Sequence, residues 1–207
     1  MAEYFAFQAA LCFSIAHVLV RRGLVNSNAL TGSFISLATS AAAFWMLLPW
    51  FVPLSALWAP RIIYFVAAGF FAPAVGQTLG YVGIERIGVA RSAPIVNSAP
   101  IFSSLLAVFF LGEVWVFQNI IGTSLVIIGV IILSSIRPSG GEWRKRDVIY
   151  PILGALAFGI STTLRKTGLM EVQIPILAAA VTVGTAFFLL LAIVQMRGGL
   201  RELKLSR

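Results

Sequence analysis

Apolar positions along the chain gather into seven long runs with short polar punctuation between them: Tyr4–Val20, Leu30–Val52, Ile62–Ile84, Ser92–Leu111, Val114–Ile136, Val148–Leu164 and Ile174–Val194. Each run approaches the roughly 20 residues that an α-helix needs to cross about 30 Å of hydrocarbon. No Asp, Glu, Lys or Arg lies near the middle of any of them, as the cost of carrying a charge through lipid demands. The pattern predicts an all-α, polytopic transmembrane protein of about seven helices. Composition agrees, with 59% apolar residues, 11% charged and a mean hydropathy of +0.97, whereas soluble domains carry about a quarter charged residues.

The first run reappears in the sixth. Residues 10–24, ALCFSIAHVLVRRGL, align with residues 155–169, ALAFGISTTLRKTGL, and seven of the fifteen positions are identical. The matched pairs include Ala10/Ala155, Phe13/Phe158, Leu19/Leu164 and Gly23/Gly168, and basic Arg21 falls opposite Lys166. Five runs separate the start of one copy from the start of the next, and an odd spacing inverts the second copy in a bilayer. Inverted repeats are a common plan of secondary transporters. Residues 137–147, RPSGGEWRKRD, combine Pro, Gly and dense charge, which marks a linker. The expected organisation is a first five-helix repeat over 1–136, a basic linker over 137–147, and a partial second repeat over 148–207 with two helices and a basic tail.

A net charge of +8 would suggest nucleic acid in a soluble protein, but its placement argues for a membrane topology and against that partner. Twelve of the fifteen cations flank the runs on one side, and only Arg61, Arg165 and Lys166 lie on the other. The positive-inside rule makes the crowded side cytoplasmic. The expectation is a multi-pass protein of the cell (plasma) membrane with its amino terminus outside and its carboxyl terminus in the cytoplasm. The leading residues, MAEY, are acidic rather than basic, so the first run reads as an uncleaved anchor rather than a signal peptide. Cys12 is the one cysteine and has no internal disulfide partner.

The stretch from Arg91 to Ile132 carries a family resemblance. It has a proline in the fourth run (Pro100), a Leu-Gly-Glu turn at Leu111, Gly112 and Glu113, and then a run with glycines at 122 and 129. This resembles the fourth and fifth helices of an EamA domain, the repeat unit of the drug/metabolite transporter superfamily. The resemblance implies ten helices in two inverted halves around a central solute cavity that opens to each face in turn. This chain has runs for seven, so the expectation is a member cut short after the second helix of the second repeat, either as a piece or by an early end of the reading frame.

Several polar residues then ask for a role. Pro94 and Pro100 each lack an N–H, so the fourth helix should be kinked or opened, and freed carbonyls are tolerated only against protein or a water-filled cavity. Asn97 and Ser98 lie beside the kink, where they either line a solute path or hydrogen-bond between helices. The third helix is expected to be kinked as well; Gly69, Pro73, Gly76 and Gly80 share one stripe of it, and the glycines suit close packing. Gln77 and Tyr81 beside it are candidates for contacting a solute, because an amide at membrane depth must be hydrogen-bonded. Thr162 occupies the position in the second copy that His17 holds in the first, and joins the candidate substrate-lining set. His17, the one histidine, is the candidate for proton coupling, with a solvated position near the interface as its plainer reading. Glu113 suits a helix N-terminal cap. Gly122 and Gly129 suit a flat packing seam between halves or subunits.

Chemistry on bonds finds little support. One His, one Cys and no acid within a run cannot build a metal site, and no GxxxxGK[ST] pattern for a nucleotide is present. No enzyme activity, metal or cofactor is expected. The expected function is secondary, non-ATP transport of a small organic metabolite or drug-like compound by alternating access, with the lipid bilayer as surroundings and a homo-oligomer as a partner state. The alternative is a non-transporting fragment, or a structural or assembly membrane protein that needs a partner chain.

Overall fold

The structure, a computed structural model, describes residues 2–25, 27–112, 114, 117–135 and 144–196. All regular elements among the described residues are helical. They are α1 (Ala2–Gly23), α2 (Ala29–Phe51), α3 (Ile62–Gly69), α4 (Gly76–Ile87), α5 (Val89–Val96), α6 (Ala99–Leu111), α7 (Phe117–Ser135), α8 (Ile149–Glu171) and α9 (Pro175–Met196). Helix is what a bilayer permits, since each backbone N–H and C=O must be bonded within its own segment. Two of the apolar runs are divided: α3 and α4 together make the third, α5 and α6 the fourth. Five rods are long and apolar enough to cross a membrane, namely Ala29–Phe51, Ile62–Ile87, Val89–Leu111, Lys145–Glu171 and Pro175–Met196. With α1 and α7 they make the seven that hydropathy predicts.

The sixth rod is longer than its apolar run, continuing past Leu164 to Glu171. Arg165 and Lys166 end the hydrophobic signal, yet both are good helix formers.

The third rod breaks at Ala72, which is extended at φ −151° and ψ 130° within the wide turn Phe70–Val75. Its neighbour Pro73 explains this, because a proline disfavours helical geometry in the residue before it and has no N–H to donate. The carbonyls of Ala68 and Ala72 are thereby left without their usual helical donors. Ser161 of α8 supplies one: its buried hydroxyl lies 2.9 Å from Ala68 O and 2.8 Å from Ala72 O.

α8 and α9 form the centre of the bundle, α8 against α3, α4 and α6, and α9 against α2 and α3. One core cluster joins Leu48, Val52 and Phe65 to Leu177, Ala178 and Val181. Further along the same seam Leu37 and Ala74 meet Ala186 and Leu190. Lipid tails are as apolar as these side chains, so association depends on close fit rather than on escape from water. The glycine stripe of the third rod provides that fit. A Cβ on Gly69 would overlap Thr182 O of α9, and Gly76 and Gly154 face each other so that a Cβ on either would crowd the other's carbonyl. α1 and α7 are peripheral: α1 leans on α4 and α5, α7 on α5, and α1 is exposed along most of its length.

Polar contacts tie the rod ends. At one end Arg21 Nη1 donates to Ile84 O at 3.2 Å, Glu85 Oε2 accepts from Ala29 N at 3.2 Å, and Arg86 Nη1 meets Asp147 Oδ1 at 2.9 Å while lying over the Tyr150 ring. At the other end Arg61 pairs with Glu171 at 2.6 Å. α1 therefore finishes where α8 begins, and the two copies of the repeat run in opposite directions.

Replacing Ser161 by Ala removes the donor from both carbonyls and should lower stability by about 1–3 kcal/mol, the cost of leaving buried backbone polar groups unpaired. Unfolding in mixed dodecyl maltoside and SDS micelles measures this; unchanged stability in Ser161→Ala would mean that the break is satisfied without α8. Gly69→Leu should abolish folding in the same assay.

Candidate functional site

The second break lies in the fourth rod, at the turn Asn97–Ser98 between α5 and α6. Pro100 stands in the first turn of α6, where its missing N–H leaves Val96 O without a helical donor. Ser98 turns back on its own rod, with its N–H 3.1 Å and its hydroxyl 2.6 Å from Ile95 O, the carbonyl one residue earlier. Asn97, one residue earlier, stays exposed. α5 is tied to α4 by Ser92, whose buried hydroxyl donates to Gly80 O at 3.1 Å.

On α4 Gln77 and Tyr81 are one turn apart. Gln77 Nε2 donates to Tyr81 Oη at 3.2 Å, and the phenol donates onward to Ser36 Oγ of α2 at 3.3 Å. Tyr81 is only 8% exposed, so this chain of three polar groups fixes the phenol and leaves the rest of the Gln77 amide open to a ligand.

These groups surround one cavity of about 540 Å³. Its walls are Phe13, Ala16, His17 and Val20 from α1, Ser36 and Ser40 from α2, and Gln77, Gly80, Tyr81 and Ile84 from α4. The broken fourth rod adds Val96, Asn97, Ala99, Pro100 and Ser103, and α8 adds Phe158 and Thr162. The sequence-derived residues Gln77, Tyr81, Asn97, Thr162 and His17 are thus brought together, with Pro100. Ser98 is not on this wall, because its hydroxyl is engaged by Ile95 O. Thr162 bonds its own helix, donating to Phe158 O at 2.8 Å. Pro94 lies within α5, one turn before the break.

Two cavity positions on α1 have their repeat partners on the facing wall. Phe13 and Phe158 are a matched pair of the repeat, and His17 and Thr162 are another; all four line the same space. The pseudo-twofold relation of the two copies therefore passes through the cavity. A neighbouring gap of about 580 Å³ between α1 and α2 shares Ala16, Val20, Ser36 and Ser40 with it.

The remaining motif residues lie elsewhere. Gly112 ends α6 in the left-handed conformation at φ 65°, its N–H bonded to Ala107 O; a side chain there would be strained. Glu113 lies outside the described residues. Cβ atoms added at Gly122 and Gly129 would meet open space, and Gly122 borders a second hollow between α6, α7 and α8.

Ser36, Ser40 and Ser103 line the cavity without having been singled out from sequence. The four-residue spacing of Ser36 and Ser40 inside an apolar run was the available signal. Phe13 and Phe158 were visible as a repeat pair, but nothing in the pattern assigned them to a cavity. Among the described residues, no group of three or more His, Cys, Asp or Glu could hold a metal ion.

A mid-bundle cavity walled by two broken rods and by both copies of an inverted helix belongs to the class of polytopic solute carriers. Residues 1–135 match the model of the EamA-like transporter family, and the chain belongs to that family. It is accordingly a multi-pass membrane protein of the drug/metabolite transporter type. Comparisons with curated proteins and with solved structures found no match.

The cavity geometry predicts that cysteines at positions 17 and 162, in a chain with Cys12→Ala, are bridged by a bifunctional maleimide. Cleavage in the 137–147 linker followed by electrophoresis reads the bridge. Two separate fragments would place α1 and α8 on different spaces.

Proposed function

We propose that the chain is a secondary transporter that moves a small organic metabolite or drug-like compound through the cavity by alternating access, without ATP. The observation that carries this reading is the presence of Phe13/Phe158 and His17/Thr162, matched positions of an inverted repeat, around one cavity. A path that must open to both faces needs equivalent surfaces related by such symmetry. The breaks at Ala72 and at Asn97–Ser98 supply the hinges, since a rod interrupted at mid-depth can swing its halves separately. Gln77 and Asn97 offer amides to the solute, Tyr81 and the serines offer hydroxyls, and the two phenylalanines offer apolar surface.

His17 is the proton-coupling group of this reading, as an imidazole on the cavity wall. The protein sits in the plasma membrane with its amino terminus outside and its carboxyl terminus in the cytoplasm. The gathering of Arg21, Arg86 and Asp147 at one end, beside Arg144, Lys145 and Arg146, supports that orientation. A second reading, a membrane subunit that needs a partner chain or a second copy, is favoured by the exposed flanks of α1 and α7.

Reconstitution in proteoliposomes with a panel of labelled amino acids and amphiphilic drugs tests the proposal. Gln77→Leu and Asn97→Leu should each slow the flux of an accepted compound about tenfold, the effect of losing one good hydrogen bond, with insertion and melting unchanged. Unaltered flux in both removes them from the path, and no flux of any compound favours the partner-chain reading. Separately, His17→Gln should make flux indifferent to an imposed pH gradient; retained sensitivity would exclude His17 as the coupling group.

A further inference from the structure

The central cavity has Thr162 on its wall. The same residue borders the hollow of about 410 Å³ between α6, α7 and α8, where the hydroxyls of Ser103, Ser104, Thr123 and Thr163 accompany Lys166. It also borders a groove along α8 of about 520 Å³ where Arg165 joins Lys166. Thr162 thus stands between the two phenylalanines of the cavity and the two cations of α8, which lie among hydroxyls. No Asp or Glu among the described residues lines any of these spaces.

Arg165 stands six residues before the end of α8, and its Nε is buried with no hydrogen-bond partner among the described residues. The three acids whose side chains are described are engaged elsewhere: Glu171 with Arg61, Asp147 with Arg86 and Glu85 with the N–H of Ala29. A guanidinium keeps its charge at any physiological pH, and partial removal from water is costly unless an anion meets it. Its planar fork suits a carboxylate or phosphate held by two parallel bonds.

We propose that Arg165, with Lys166 beside it, is an anion-binding site adjoining the cavity, and that the solute is an organic anion. Its carboxylate or phosphate group sits on the two cations, and its uncharged body reaches past Thr162 to the space between Phe13 and Phe158. That the bound anion is also transported rests on the carrier reading above; the binding site itself does not.

Four probes that share a phenyl ring and differ in charge test this on the full chain in dodecyl maltoside: benzoate, phenyl phosphate, benzamide and benzylamine. Thermal unfolding followed by tryptophan fluorescence should show saturable stabilisation by the two anions and none by the amide or the amine. Arg165→Gln should weaken both anions about tenfold to a hundredfold, the range for a hydrogen bond to a charged group, and Arg165→Lys should recover part of the loss. Arg61→Gln, at the same end of the bundle but paired with Glu171, should leave anion binding unchanged. Its unliganded melting, compared with that of Arg165→Gln, separates lost binding from lost folding. Equal stabilisation by benzamide, or unchanged anion binding in Arg165→Gln, overturns the proposal. Micelles doped with phosphatidylglycerol separate the two sources of the anion: Arg165-dependent stabilisation by that lipid alone, with none by benzoate or phenyl phosphate, makes a lipid headgroup the occupant and overturns the solute reading. Arg165-dependent benzoate binding with no flux in proteoliposomes would keep the site and remove the transport reading.

Discussion

A backbone carbonyl or N–H that faces hydrocarbon without a partner costs several kcal/mol, and this bundle twice interrupts a rod where that cost applies. The third rod opens at Ala72 and the fourth at Asn97–Ser98. Their solutions differ. At the fourth, a residue of the turn itself, Ser98, folds back onto Ile95 O. The third borrows a hydroxyl from another rod, Ser161 of α8. That borrowed bond fixes the rotation and depth of α8 against α3, and the next residue on α8, Thr162, is a cavity residue. The contact that makes the break tolerable therefore also sets one wall of the site.

The two copies of the repeat are used unequally. They agree where they meet the shared cavity, at Phe13 and Phe158, but differ in how they are held. The position in α1 that corresponds to Ser161 is Ala16, which has no hydroxyl to offer a neighbouring rod. Gly168 lies under the Phe65 ring, while its partner Gly23 faces open space. α8 is consequently locked into the centre, and α1 rests at the margin with Arg21 on Ile84 O as its end tie. One cavity thus has a firm wall and a loosely held one.

Much of this arrangement was legible before the structure. Seven apolar runs predict seven rods because lipid leaves no alternative to helix, and the amides of Gln77 and Asn97 announce themselves because an amide at membrane depth must be answered. Pro100 located the turn of the fourth rod. Pro73 fits the kink expected in the third rod, but a proline does not reveal whether a partner hydroxyl waits on a rod far along the chain. The serines were the least legible. A serine in a helix can satisfy itself on its own preceding turn, as Ser14 does on Ala10 O at 2.9 Å, so pattern alone does not separate Ser36 and Ser40 on the cavity wall from Ser14. Arg165 entered the sequence reading only as one cation in a tally of sides; its significance comes from what surrounds it.

The hydroxyl that completes the third rod lies 93 residues after Ala68 and 89 after Ala72 in the chain. At synthesis rates of about 5–20 residues per second this is an interval of roughly 5–20 s. During that time the rod that will carry Gln77 and Tyr81 is already made, with its opened turn awaiting its final donor. Water at the insertion site must serve the two carbonyls in the meantime, and α8 must displace it on arrival. Completion of the site is thus an event of late biogenesis, and the first five rods alone carry an unfinished turn at its centre.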